Sequence, residues 1–334
     1  MTVVDEVAIA AAVSQAGMSA PALAAAFVRL LRSQPSDLAA HLTSIEADVG
    51  LAGTGVRSHC HVVSLDVQGK ARVGLLVDHL VNHILDYAIP RSRIREANDD
   101  LIASGSTKRF VRLTNEARSL FTDLATTGEG GELLLYVLAE AVLKSPQLIT
   151  KMSLKTSTRM HYHGADGVHG AIDPETGILT LFWGESKIRS DPKLAITSCL
   201  QDLKPFLVSE DGAGGPRTRD MHLLSEHADL DDPNVEAAIR GYLDPDNEKS
   251  KLVRHSGVGV AGFNFADYSN VSGDKSADAL KQLALTGAEQ WRAHLKDRAE
   301  SLEVHASEIH FFCIPMPDVD AFRATFLQRL GIAS

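Results

Sequence analysis

The sequence predicts a mixed α/β fold, a central mixed sheet flanked by helices, preceded by an N-terminal helical extension. Three observations carry that expectation. From residue 128 onward, segments with 3.6-residue apolar spacing alternate with short β-branched runs, in the order buried helix, hairpin, helix, strand, helix, strand, helix. No stretch repeats another, which excludes solenoids and propellers. Hydrophobic residues fill 44% of the 334 positions, enough for a substantial core, so disorder and small disulfide scaffolds are excluded as well.

Each element has a local reason. Ser19 reads as the N-cap of a helix from Pro21 to about Leu31, and Ser36 as the cap of a second helix ending near Gly50. These two make residues 1–50 a helical extension and leave 51–334 as the main domain. Ser58 to Leu65 alternates like a strand, and Ala71 to Tyr87 has helical spacing that Pro90 stops. The polar run from Ala97 to Lys108, with Ser104-Gly-Ser inside it, reads as a loop. Helical pattern resumes from Phe110 to Leu124, and Gly128 to Lys144 is apolar almost all round, hence a buried helix. Gly164 to Lys187 is a hairpin, with Asp173-Pro-Glu-Thr-Gly177 supplying the turn between two β-forming runs. Beyond it come a helix from Ala195 to Leu207, a loop from Asp211 to Pro216 and a short helix from Asn234 to Tyr242. A strand from Gly257 to Phe265, a long helix from Ala277 to Leu302, a strand from Ile309 to Ile314 and an amphipathic helix from Asp318 to Leu330 complete the order.

Charge and cysteine usage narrow the function. A formal charge of −10 argues against holding nucleic acid by bulk electrostatics alone. The charge is uneven: from Ala141 to Pro205 eight Lys and Arg face six acids, a net +2, while Ser209 to Glu248 is strongly acidic. Cys60, Cys199 and Cys313 lack metal-ligand spacing and suit a reducing compartment. Asp5 and Glu6 stand where a signal peptide would carry basic residues, and no apolar run is long enough to cross a bilayer. A cytoplasmic location is the expectation.

The hairpin holds the candidate chemistry. If its ladder folds symmetrically about the turn, Asp166 lies opposite Glu185, and period two puts Lys187 on the same face while Ser186 points away. Two carboxylates facing each other across strands repel. A divalent cation between them would remove that cost, since carboxylate oxygens are the hard ligands Mg²⁺ (or Mn²⁺) prefers. A lysine beside such an ion can position the attacking water and offset charge at a phosphorus centre. Upstream, Glu129 and Glu132 sit three apart at the first turn of the buried helix, on one face. The macrodipole alone is reason enough for acids there, but with the hairpin acids and lysine Glu132 becomes a fourth candidate.

Other groups read more plainly. His161, His163 and the His59-Cys60-His61 run lack partners at zinc spacing, and Cys60 would point away from both of its neighbours. Ser256 to Gly262 has the glycines of a dinucleotide fingerprint, but a strand pattern follows it where a helix is needed. There is no Walker A loop, so any ATP use belongs to a partner. Phe182 and Trp183 are read as core.

Three motifs in this order, Gly-Glu-Gly-Gly-Glu-Leu-Leu-Leu-Tyr136, His-Gly-Ala-Asp-Gly-Val-His169 and Trp-Gly-Glu-Ser-Lys187, resemble the HamA family, the nuclease subunit of Hachiman-type antiphage defence. That family is related to the PD-(D/E)xK restriction-endonuclease superfamily. The likeness is most specific from Thr114 to Ser190 and continues more loosely through Leu223-Leu-Ser-Glu226 and the two later strands. It implies a restriction-endonuclease-like core in which Asp166 and Glu185 are metal ligands, Lys187 is the catalytic lysine and Glu132 completes the site. It also implies DNA as substrate and a superfamily 2 helicase, HamB-like, as partner. Gly164-Ala165 precede the first acid where the superfamily usually has a proline or a strand bend. A stand-alone repair or restriction-type nuclease, and an inert helicase adaptor docking through the acidic segment, are the alternative readings.

Overall fold

Proline at the first turn starts two short N-terminal helices, α1 (Ala20–Arg29) and α2 (Pro35–Ala39), because its missing N–H costs nothing there. The computed structural model describes residues 18–122, 129–150, 152, 164–208, 215–271, 273 and 276–332. Where the second helix was expected to run on to Gly50, the chain instead forms strand β1 (Leu42–Gly50), antiparallel to β2 (Val56–Val63). The extended helical reading of residues 1–50 therefore stops at Ala39. The physical reason is irregular pairing: the register shifts between Ser44 and Glu46 and again between Glu46 and Val49. Those bulges space Leu42, Ile45 and Val49 as a helix would.

Next come α3 (Val73–Asn82), α4 (Ile84–Ala88), α5 (Arg91–Ser104) and α6 (Lys108–Thr122). The single helix expected from Ala71 to Tyr87 is thus broken at His83. The expected loop from Ala97 is mostly helix as well. The helix starts upstream in Arg91 to Glu96, Ala97, Leu101 and Ala103 carry it on, and Gly105, in the left-handed region at φ 70°, ends it. Helix α7 (Glu129–Ala141) follows, and Leu133 through Ala139 are all fully buried, as its all-round apolar pattern requires.

The hairpin forms as expected: β3 (Gly167–Ile172) pairs antiparallel with β4 (Leu179–Ile188), Gly167 opposite Gly184 and Ile172 opposite Leu179. Asp173 closes the turn, its carboxylate accepting the N–H groups of Glu175 and Thr176 at 2.8 and 2.9 Å. The remaining elements are α8 (Pro192–Leu207), α9 (Pro216–His227), α10 (Pro233–Leu243), β5 (Val253–Asn264), α11 (Ser276–Ser301), β6 (Ile309–Met316) and α12 (Val319–Leu330).

All six strands join one mixed sheet in the order β1-β2-β6-β5-β4-β3. The pairs β4–β5, β5–β6 and β6–β2 are parallel, and the two outer pairs are antiparallel. Helices α8 and α11 cover one face and α3, α7 and α12 the other, the layered solution expected when parallel strands must be buried on both sides. The glycine run in β5 serves this packing. A Cβ at Gly259 would stand 2.5 Å from the Phe311 ring, so those glycines admit core side chains and build no phosphate loop.

Several histidines are packed into the layers, His59, His61 and His169 buried and His79 and His255 half-buried. His59, His61, His79, His169 and His255 each have their pKa lowered from 6.5 to about 4, first of all by burial. Folding favours the neutral rings, so their contribution is complete above pH 6.5 and is lost as pH falls toward 4. For fully buried His169 alone this is on the order of 3 kcal/mol. Urea midpoints measured from pH 8 to pH 4.5 should be flat down to about pH 6.5 and then drop steeply. A midpoint that stays level to pH 5 would contradict the burial of these rings.

Candidate active site

Strand β4 presents two faces with different duties. Ser186 and Ile188 face α7, where Gly131 packs against both, and Gly184 lies against Leu135. Trp183, Glu185 and Lys187 face α8. Trp183 stacks on Phe206 with ring centroids 5.4 Å apart, and Lys187 Nζ reaches Asp202 Oδ2 at 2.8 Å. Trp183 and Phe182 are core residues, as the sequence implied.

The ladder brings Asp166 level with Glu185, one residue before the paired segment of β3 begins. Its backbone is fixed from three sides. The Asp166 N–H donates to the Gly184 carbonyl at 2.8 Å, the Tyr87 hydroxyl stands 3.5 Å from the Asp166 carbonyl, and the Ala165 N–H donates to Asp220 Oδ2 at 3.0 Å. Its carboxylate is fixed as well, because Ser186 gives Oδ2 both its N–H and its hydroxyl at 2.9 Å. Ser186 does leave the face of Glu185, yet its hydroxyl still serves Asp166.

Glu185 is buried, and Lys187 Nζ donates to its Oε1 at 2.5 Å. Burial first, and the Asp166 charge second, push the Glu185 carboxyl up to about 8, with Lys187 pulling the other way. Burial by itself would lower the Lys187 ammonium, but Glu185 and Asp202 together outweigh it and raise its pKa. Lys187 therefore stays cationic while held between two carboxylates. Asp166 Oδ1 and Glu185 Oε2 accept no hydrogen bond among the described residues.

Glu132 sits on α7, buried, and its Oε2 accepts the Tyr87 hydroxyl at 2.7 Å. The same hydroxyl touches Asp166, so Tyr87 ties the helix glutamate to the start of β3. Of its helical neighbour Glu129 the side chain lies outside the described residues, as do His161 and His163.

Three members of this corner were missed from sequence: Asp202, Ser186 as a donor, and Tyr87. Asp202 is fifteen positions beyond Lys187 on another element, and only the α8–β4 packing joins them. Tyr87 is 45 residues ahead of Glu132. No spacing rule links such pairs.

The donor set fits a hard divalent cation. Two carboxylates, each with one uncommitted oxygen, meet where burial makes their mutual repulsion expensive, and among the described residues no sulfur or imidazole bonds either carboxylate. A second group, Asp48, His59 and His310, has ligand atoms within 4.8 Å of one another. Its hydrogen bonds close it. Asp48 N–H donates to His59 Nδ1 at 3.2 Å, so His59 Nε2 carries the proton toward His310 Nδ1 at 3.1 Å, and Arg57 holds the Asp48 carboxylate. Cys60 points to the opposite sheet face, beside Cys313 in the register of β2 and β6.

The HamA family model matches residues 41–330, from the residue before β1 to the last residue of α12. The chain belongs to the HamA family. HamA is a component of Hachiman antiphage defence. No curated protein matches the chain. The HamA match spans the whole six-stranded sheet, and the mixed sheet with helices on both faces is consistent with a nuclease-like core. No helix among the described residues is long and apolar enough to cross a membrane.

In this HamA protein Tyr87→Phe removes one donor from a buried carboxylate and should cost about 1–3 kcal/mol. Urea denaturation at pH 7.5 measures it. Stability equal to the wild type would mean that Glu132 does not depend on Tyr87.

Proposed function

We propose that this HamA-family protein is a metal-dependent deoxyribonuclease that hydrolyses internal phosphodiester bonds with little sequence preference, acting beside a helicase subunit. The single observation that carries the reading is the meeting of Asp166, Glu185 and Lys187 at one end of the sheet, with Lys187 kept cationic between two acids. Family membership supports the defence setting and the helicase partner.

Asp166 and Glu185 would hold Mg²⁺ or Mn²⁺ through the oxygens that hydrogen bonds leave open. Such an ion, when bound, polarises the scissile phosphate and lowers the pKa of a coordinated water. The chain's own groups do the rest. Ser186 fixes the aim of the Asp166 carboxylate from backbone and side chain together. Lys187 commits two of its three ammonium protons to Glu185 and Asp202, which leaves one for the attacking water or for the oxygen that gains charge at phosphorus. Asp202, on a rigid helix, keeps Lys187 aimed at that point. Glu132 steadies Asp166 through Tyr87.

Nicking of supercoiled plasmid in Mg²⁺ tests the reading, with the helicase present and ATP supplied or withheld. Lys187→Ala and Glu185→Ala should each lower the rate by roughly 10²–10⁴-fold with thermal unfolding still cooperative. Asp202→Asn should cost only about tenfold, since it weakens the aim of Lys187 and removes no reacting group. Wild-type rates from both the Lys187 and the Glu185 variants would place the chemistry elsewhere.

A further inference from the structure

Helix α6 turns an uninterrupted basic face to the solvent. Leu113, Ala117 and Phe121 form its buried side. The flanking charges are already spent on α5: Glu116 pairs with Arg93 at 2.5 Å, and Arg109 with Glu96 at 3.0 Å. What remains outward is Lys108, Arg112, Asn115 and Ser119, at helical positions i, i+4, i+7 and i+11, with Arg118 beside the last two. All five are exposed, and Lys108, Arg112 and Arg118 make no ion pair among the described residues. The helix's only acid is the neutralised Glu116, so no carboxylate of α6 interrupts the stripe.

We propose that this face is a track for the sugar-phosphate backbone of duplex DNA, with Lys108, Arg112 and Arg118 each taking a phosphate. The proposal rests on the nuclease reading above and names where its substrate lies. Eleven residues of helix span about 16 Å, long enough to follow several phosphates of one strand. Arginine forks and a lysine ammonium suit phosphate oxygens, and Asn115 adds a neutral polar group of the kind that fixes a duplex without reading its sequence. That matches low sequence preference. Through its buried side α6 is tied to the rear of the corner: Phe121 packs against Tyr87 with ring centroids 6.0 Å apart, and Tyr87 bonds Glu132. A protein partner would want an apolar centre at its interface, and the stripe offers only Val111 at its margin, 54% exposed.

Fluorescence anisotropy with a labelled 30-base-pair duplex and the full chain, in EDTA so that cutting plays no part, decides it. Binding constants are taken between 50 and 200 mM salt for the wild type, for Lys108→Gln/Arg112→Gln/Arg118→Gln, and for a control, Lys70→Gln/Lys251→Gln/Lys281→Gln. The control removes the same charge from exposed positions elsewhere. Loss of three phosphate contacts should reduce the slope of log K against log salt by about 2.7, so that the wild type loses roughly 40-fold more affinity than the α6 variant over that range. The control should keep the wild-type slope. An α6 variant with an unchanged slope, a control that falls equally, or a wild type without salt-dependent binding would each overturn the proposal. So would an unchanged slope together with loss of the helicase subunit, which would assign the face to a protein. Binding through α6 with no cutting in Mg²⁺ would defeat only the nuclease reading, and cutting with an unaffected α6 variant would defeat only this one.

Discussion

The corner depends on one unfavourable contact, two carboxylates brought level on neighbouring strands with one of them buried. Glu185 cannot relieve the contact by turning to water, and burial with Asp166 nearby pushes its carboxyl up to about 8. Everything around it compensates. Lys187 supplies a cation from the same strand face, Asp202 fixes that cation from α8, and Ser186 neutralises one oxygen of Asp166 from the opposite face. A protein selected for stability alone would place an apolar pair there, since a buried ion pair seldom gains over a well-packed hydrophobic one. Retaining the acids makes sense where a cation is bound.

The sheet explains why the contact persists. Helix α7 presses Gly131 onto Ser186 and Ile188, and α8 presses Phe206 onto Trp183, so β4 is clamped from both sides within three residues of the site. Parallel pairing to β5 along its whole length leaves β4 no freedom to slip, because a one-residue shift would exchange Glu185 for Gly184 and Trp183 for Phe182 between the faces. The strained pair is thus held by packing whose gain is spread over the core, while its cost is confined to one corner.

What the sequence revealed follows from how local the information was. The hairpin was legible because Asp173 and Gly177 fix the turn, and a fixed turn fixes the register that brings Asp166 to Glu185. Helix α7 was legible because an all-round apolar segment has nowhere to go but the interior. Strand β1 was misread because two bulges gave Leu42, Ile45 and Val49 a helix-like spacing, and the end of α5 because its Asn98, Asp99, Asp100 and Ser104 look like a loop while the helix is set by the good formers upstream of them. Asp202 and Tyr87 were invisible for another reason. Each enters the site from an element that owes its position to tertiary packing alone, and neither residue type is unusual where it stands.

Charge links the site to the rest of the molecule. Asp166, Glu185 and Asp202 against Lys187 make the corner anionic once its acids ionise, so by itself it repels a phosphodiester as well as attracting a divalent ion. The chain as a whole, at −10, adds to that repulsion. On the proposed reading a polyanion needs a local foothold away from the corner, and a divalent cation held by Asp166 and Glu185 would have to reverse its sign before a phosphate could settle. The outward face of α6 is the foothold proposed above, where Lys108, Arg112 and Arg118 make no ion pair among the described residues. Separating the two jobs keeps the corner free to favour the metal and leaves strand-holding to a helix whose phosphate contacts carry no sequence information.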